Sequence, residues 1–319
     1  MKIYNYISAL VLLASVAACS SDDDILSPYD ADSNAVRIQP SVSGIAVSRT
    51  APQDTNSTIF KSGDKIQAGR NVSNDVVKFF PYTFNGTKWA PTWMTVDYPY
   101  LRWENGETEL DLQAFYPSEG YVSMTSFTLP LDQSDADKIA KADFMTFSGK
   151  VTKGDNNSVS FAMQRHTARI CVKISSFGDQ YKGLNPKCDV EIYSPYKIIN
   201  VTYSNEIIAK GDGEEHCNLV KPYNYKDLQQ GNTAVALVTP SLDDWPGEKL
   251  LKITVKAGNS TPEKILYVTG QPGFSGGYSY TYNLKVGKDE VKVNSVTVKP
   301  WSEPIIVEGG IATESNPPE

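Results

Sequence analysis

The chain of 319 residues is poor in the side chains that carry most metal and proton chemistry, with two histidines, His166 and His216, and four cysteines. No C-x-x-C or H-E-x-x-H spacing occurs, and the histidines lie far apart, so a zinc site is not expected. Basic residues number 30 against 37 acidic ones, giving a formal net charge of -7, and they form no run of the kind that binds a phosphate backbone. A nucleic-acid partner is therefore not expected. No glycine-rich loop follows a strand and opens a helix, so nothing supports nucleotide binding, and no cofactor is implied. Long helical periodicity is missing as well, which excludes bundles and parallel α/β sheets.

The one strongly apolar run is at the start of the chain. Met1 and Lys2 precede Val11, Leu12, Leu13 and Ala14, a build of charge followed by apolar residues that reads as an export signal and is too short to span a bilayer. It closes on "SVAACSSDDD", where small Ala17 and Ala18 lead into Cys19, and this stretch resembles a bacterial lipobox, whose cysteine is acylated. The reading is a signal peptide over 1–18, lipidation at Cys19 and an acidic, solvated tether over 19–34. That leaves Cys171, Cys188 and Cys217, from which at most one disulfide can form; Cys171 with Cys188 would close a short loop, and all three are equally readable as buried thiols.

What the sequence has in abundance is alternation. In "YSYTYNLKV", Tyr278, Tyr280, Tyr282, Leu284 and Val286 fall on one face and Ser279, Thr281, Asn283 and Lys285 on the other, a period of two that needs a half-buried sheet. Similar runs such as "LDLQAFYP", "SVSFAM", "RICVKI" and "LLKITVKA" are separated by Gly, Asn, Asp and Pro clusters. Only "SDADKIAKADFM" reads as helix, with Ser134 as N-cap and Asp137 in the first turn. The expected class is all-β, as two antiparallel β-sandwich domains. A polar break in "KVTKGDNNSVS" divides them into 35–154 and 155–319.

Three features invite a chemical reading. "GFSGG" matches a nucleophile elbow around Ser275, but a tyrosine-rich strand follows where the elbow needs a helix, and both histidines precede the serine. The expectation is a tight turn, and no enzyme. His166, between Arg165 and Arg169, reads as a hydrogen-bonded structural histidine at a strand end. Trp89 and Trp93 in "KWAPTWMTVDY" fall in an apparent loop; core or edge packing competes with a role as glycan contacts.

Several stretches, in their order along the chain, resemble the fimbrillin or major-fimbria-like lipoproteins that build type V pili on Bacteroidota. They are the lipobox with "SSDDD", "VSRTAPQDTNSTIFKSGDKI", "WENGETELDLQAFYPSEG" ahead of "ADFMTFSG", "VSFAMQRHTARICVKI", and "YSYTYNLKVG" followed by "VKVNSVTVKPW". The resemblance implies transthyretin-like sandwiches and transport to the outer membrane as a lipid-anchored, surface-exposed protein. It also implies assembly into a pilus that serves adhesion. The implied partners are other pilin subunits, self or related, a trypsin-like processing protease, the membrane through the lipid, and a surface glycan or protein as adhesion ligand. The implied route is cleavage after a basic residue, loss of an N-terminal strand, and its replacement by a strand from another subunit. The alternative is a non-polymerising surface adhesin or glycan-binding lipoprotein, including a pilus tip or anchor subunit.

On that route Arg49, followed by the turn-forming "TAPQDTNS", is the candidate processing site, with Arg37 as its rival. The strand released would be roughly Val36 to Val47. The strand donated to a neighbour would come from 291–312, whose apolar members end with Ile305, Ile306 and Val307.

Overall fold

The computed structural model describes residues 27–43, 60–73, 76–92, 100–119, 122–202, 207–209, 218–241, 245–258, 263–271 and 273–301. Strands dominate these residues, as the alternation predicts. They are β1 Arg37–Val42, β2 Lys65–Ser73, β3 Val76–Phe84, β4 Trp89–Pro91, β5 Glu109–Tyr116, β6 Ser126–Thr128, β7 Met145–Thr152, β8 Ser158–Arg165 and β9 Ala168–Phe177. Next come β10 Lys187–Ser194, β11 Ile198–Val201, β12 Ile207–Ala209, β13 Asn218–Val220, β14 Thr233–Val238, β15 Trp245–Lys256, β16 Lys264–Gln271, β17 Tyr278–Val286 and β18 Val291–Pro300. The α-helices among the described residues are α1, Pro28–Ala31, and α2, Ala136–Ala140. The N-cap of α2 is Asp135, whose carboxylate accepts the Lys138 amide, rather than Ser134; that serine's own amide is turned to Asp132.

Two hydrophobic cores organise the strands. The first is built from residues 29–163 and lies against a seven-stranded sheet in the order β1-β8-β7-β5-β2-β3-β4. The second draws on residues 115–301 and on the sheets β14-β9-β17-β18, β13-β10-β15-β16 and β12-β11-β6. Strand β8, which lies past residue 154, alternates as expected of a sheet with one covered face: Val159, Phe161 and Met163 are buried while Ser160 and Ala162 are exposed. It pairs with β1 and β7, so the first sheet extends to Arg165, and the polar stretch between 152 and 158 is the turn of the β7–β8 hairpin. In the other direction Phe127, Leu129, Ile139 and Phe144 are packed into the second core, where the ring of Phe144 stacks on Phe127 at 4.8 Å.

The sheets are mixed rather than antiparallel throughout. β1 runs parallel to β8 and β17 parallel to β9. Both pairs join strands far apart in sequence, which is the condition parallel neighbours require, since a tight hairpin reverses the chain.

Candidate subunit interface

The N-terminal segment, residues 27–42, is an add-on to the first sheet. Ser27 caps α1 by accepting the Asp30 amide at 3.2 Å, and Pro28 occupies the first turn, where its missing N–H costs nothing. Tyr29 is 1% exposed; its hydroxyl donates to the Val36 carbonyl at 3.0 Å, and its ring meets Tyr100 edge-on at 5.0 Å and Tyr82 at 6.3 Å. Burial drives its ionisation well above the usual tyrosine range. Residues 100–103 hold the same segment: the Val36 amide donates to the Leu101 carbonyl at 2.9 Å and the Trp103 amide to the Asn34 carbonyl at 2.8 Å. Arg102 pairs with Asp32 at 2.7 Å and Lys88 with Asp30 at 2.6 Å.

Among the described residues β1 itself pairs with β8 alone, from Arg37 opposite Ser158 to Val42 opposite Met163, and Ile38, Pro40 and Val42 turn inward. A proline is tolerated here because the edge of a sheet does not need every N–H. Tyr29, Val36, Ile38 and Val42 are each worth roughly 1.5–3 kcal/mol of burial, so severing the chain would not by itself eject the segment.

The last described stretch leaves the second core differently. Among the described residues β18 is the edge of its sheet and pairs only with β17, with Val296 and Val298 opposite Tyr282 and Tyr280. Opposed residues share a face, so these valines point the same way as buried tyrosines, yet they are 38% and 52% exposed because nothing among the described residues covers the outer part of that face. Immediately after, Trp301 drops back into the core at 1% exposure. Its amide donates to the Gly277 carbonyl at 2.7 Å, and its ring lies under the guanidinium of Arg165 at 3.9 Å and near that of Arg169 at 5.2 Å. Arg165 is buried with Asp143, both of whose oxygens accept from its Nε at 3.1 Å, and also donates to the Trp301 carbonyl at 3.3 Å. Arg169 donates to Ser279 at 3.0 Å.

Of the residues singled out from the sequence for catalysis, Ser275 and His166 are described, and their side chains do not meet as a site. Ser275 is exposed in the turn before β17, whereas His166 is fully buried, with its Nε2 sharing a 2.6 Å hydrogen bond with the Thr146 hydroxyl and its Nδ1 without a hydrogen-bond partner among the described residues. Burial pushes His166 down to about 4, so it is neutral. The glycines of "GFSGG" answer to packing: a Cβ on Gly276 would stand 2.8 Å from the His166 carbonyl oxygen, and Gly277 has φ +76°.

Trp89 is not in a loop. It is 4% exposed in β4, edge-on to Phe60 at 5.1 Å and beside Phe84 at 5.3 Å, so its ring offers no face to a glycan. The signal for this was Asn85-Gly86, a hairpin dipeptide that joins β3 to β4; the Asn85 side chain accepts the Lys88 amide at 2.8 Å. Cys171 and Cys188 are both thiols; they lie on strands of different sheets, β9 and β10, with Cys171 partly exposed and Cys188 buried and pushed up to about 12. Arg37 is within β1, donating to the carbonyls of Asn156 at 3.0 Å and Asp30 at 3.1 Å. Residues 27–34, expected to be tether, are instead folded onto the first core; "SPYDA" carries the cap, proline and first-turn acid of a helix start. Cys19, Arg49, Trp93, Cys217 and everything after Trp301 lie outside the described residues. Among the described residues no group of three or more His, Cys, Asp or Glu side chains is placed to hold a metal, and no helix is long and apolar enough to cross a membrane.

Against known families, the model of the fimbrillin-like family matches residues 42–301. The chain belongs to the fimbrillin-like family. Among solved structures, this fimbrillin-like chain is similar to a candidate cell adhesion protein from Bacteroides uniformis, with 15% identity, a TM-score of 0.57, and coverage of 85% of this chain and 100% of the other. A second candidate cell adhesion protein, from Bacteroides ovatus, is 19% identical with a TM-score of 0.58, covering 84% of this chain and 98% of its own. At these identities the likeness is one of fold. No curated protein sequence matches the chain.

Proposed function

We propose that this fimbrillin-like protein is a structural subunit of a cell-surface pilus that serves adhesion. It is exported as a lipoprotein through Cys19, held at the outer membrane by that lipid, and assembled by protease-triggered strand exchange. Membership of the family and the fold shared with candidate cell adhesion proteins of Bacteroides support the surface role. The observation that carries the assembly step is the standing of β1: among the described residues it is an edge strand with one neighbour in its sheet, joined to β2 through residues 43–64, which include Arg49. A cut after Arg49 leaves residues 27–42 held only by non-covalent contacts. Their departure uncovers the β8 edge with Val159, Phe161 and Met163, and a strand from another subunit restores both the ladder and the apolar contact in one step. Arg37 suits the protease less, because its backbone is already paired in the β1–β8 ladder. The glycan-binding alternative has lost Trp89 as its support.

The test is intact mass and N-terminal sequencing of the protein taken from cells, alongside a gel of surface-extracted material. The expected result is lipid on Cys19 in the precursor, a mature chain beginning at Thr50, and a ladder of heat-stable multimers that the Arg49→Ala, Arg37→Ala double variant lacks. A chain that is never processed and is strictly monomeric would refute the reading.

A further inference from the structure

The turn of the β7–β8 hairpin touches the N-terminal segment at the joint between its two halves, residues 27–36 and β1. Asn156 and Asn157 have φ of 53° and 59°, a left-handed region that most side chains avoid and that asparagine enters more readily than others. Both carbonyls accept from side chains, that of Asn156 from Arg37 at 3.0 Å and that of Asn157 from the Trp103 indole at 3.2 Å. The Asn157 side chain in turn donates to the Ser33 carbonyl. Trp103, 3% exposed, ties turn and segment together: its own amide donates to the Asn34 carbonyl at 2.8 Å, and Lys153 stands over its ring at 5.2 Å. Arg37 reaches back from the turn to the Asp30 carbonyl at 3.1 Å and lies 6.0 Å from the centre of the Tyr29 ring. The β1–β8 ladder begins at this point, with Arg37 opposite Ser158.

We infer that this turn is the latch on the N-terminal segment: Asn157 through Ser33, and the Asn156 carbonyl through Arg37, set how often β1 opens from β8. The inference rests on the strand-exchange reading for its purpose, since a segment that is to leave needs a hold that can be undone locally. An edge strand opens by fraying from its ends, and these polar contacts fix the end at which the ladder starts. The backbone of the turn does not itself require asparagine, because glycine takes the same φ without strain. What the Asn157 side chain adds is the bond to Ser33, which reaches from the hairpin to the segment and can be removed without disturbing the turn.

The experiment is hydrogen–deuterium exchange on the intact, unprocessed chain and three variants. Asn157→Gly keeps the left-handed backbone and deletes the Ser33 bond. Asn156→Gly keeps the backbone and the Arg37 bond, and because both variants share the added chain entropy of glycine, that effect cancels between them. Asn157→Asp preserves the shape of the side chain but cannot donate. The amides of Ile38, Gln39, Ser41 and Val42 should exchange roughly two- to tenfold faster in Asn157→Gly and Asn157→Asp than in Asn156→Gly, the effect of one lost hydrogen bond, with β2 and β5 unchanged. Equal exchange of β1 in Asn157→Gly and Asn156→Gly would overturn the latch. Acceleration spread evenly through β2 and β5 would overturn it too, since the turn would then support the sheet as a whole. Neither result touches strand exchange, which fails by a different sign, a chain that is never processed and never multimeric; the latch would then hold a segment that does not leave, and its purpose would fall.

Discussion

His166 shows how a residue that resembles a catalytic group can act on stability instead. Its ring is buried beside Phe144 at 5.3 Å, with one nitrogen bonded to Thr146 and no acid near enough to be a cause of its shift, which is desolvation alone. The folded state binds a proton at about 4, against about 6.5 for an unfolded histidine. The unfolded chain therefore holds more protons throughout that window, and stability falls as pH drops from 6.5 towards 4, by up to about 3 kcal/mol from this group. Above 6.5 His166 contributes no slope. Asp64 acts with the opposite sign, since burial raises its carboxyl and protonation favours the fold. Denaturant midpoints measured from pH 7 to pH 4 should decline, and His166→Gln should flatten the decline even if it lowers the plateau. An unchanged slope in the variant would remove His166 from the account. The sequence points to a hydrogen-bonded structural histidine because it offers no acid partner, and the buried ring bonded to Thr146 agrees; that the partner would be Thr146 is a matter of three-dimensional neighbourhood.

At the scale of elements, what could be read from the chain was alternation, and what could not was pairing. In β17 the period of two named Tyr280, Tyr282, Leu284 and Val286 as buried, and they are; Tyr278, on the same face, is 41% exposed because the strand's first residue overhangs the core. The parallel partners β8 for β1 and β9 for β17 are set by contacts more than a hundred residues distant, to which local pattern is blind. Trp89 reads as loop in the sequence because its strand is only three residues long, too short to alternate visibly. The edge position of β1 has a measurable consequence. Regions with one ladder and few neighbours open at lower cost than central strands, so the amides of β1 other than Pro40, which has none, should exchange with deuterium well before those of β5 and β7 in the same sheet. Ile38→Ser with Val42→Ser should widen the gap, since both side chains are 3% exposed and each loses burial of roughly 1.5–3 kcal/mol. Protection of β1 equal to that of β5 would mean the strand is not separable from the fold, and the route to exchange would close.

The whole molecule is arranged around two chain regions that behave in opposite ways: an N-terminal segment attached at an edge, and a C-terminal strand that ends in a deeply fixed tryptophan. Trp301 is shared by two arginines that sit where the β8–β9 connection passes from the first core to the second, and Arg165 is in turn neutralised by Asp143. A buried charge left without its partners costs about 3–5 kcal/mol, so this cluster fixes the chain at residue 301 whatever happens beyond it. Truncation on either side of that point should therefore have different effects. A chain ending after Trp301 keeps the ring over Arg165 and the Gly277 and Arg165 backbone contacts; it should fold, melt close to the intact protein and be exported, yet form no multimer ladder, because it lacks the later part of the 291–312 stretch expected to supply the donated strand. A chain ending at Lys299 loses Trp301 as well and uncovers Arg165 and Arg169, and it should lose about 3–5 kcal/mol by denaturant titration, comparable to removal of a buried tryptophan. If the first truncation polymerised normally, the donor would lie elsewhere. If the second were as stable as the first, Trp301 would not be the anchor that separates the folded subunit from the strand it gives away.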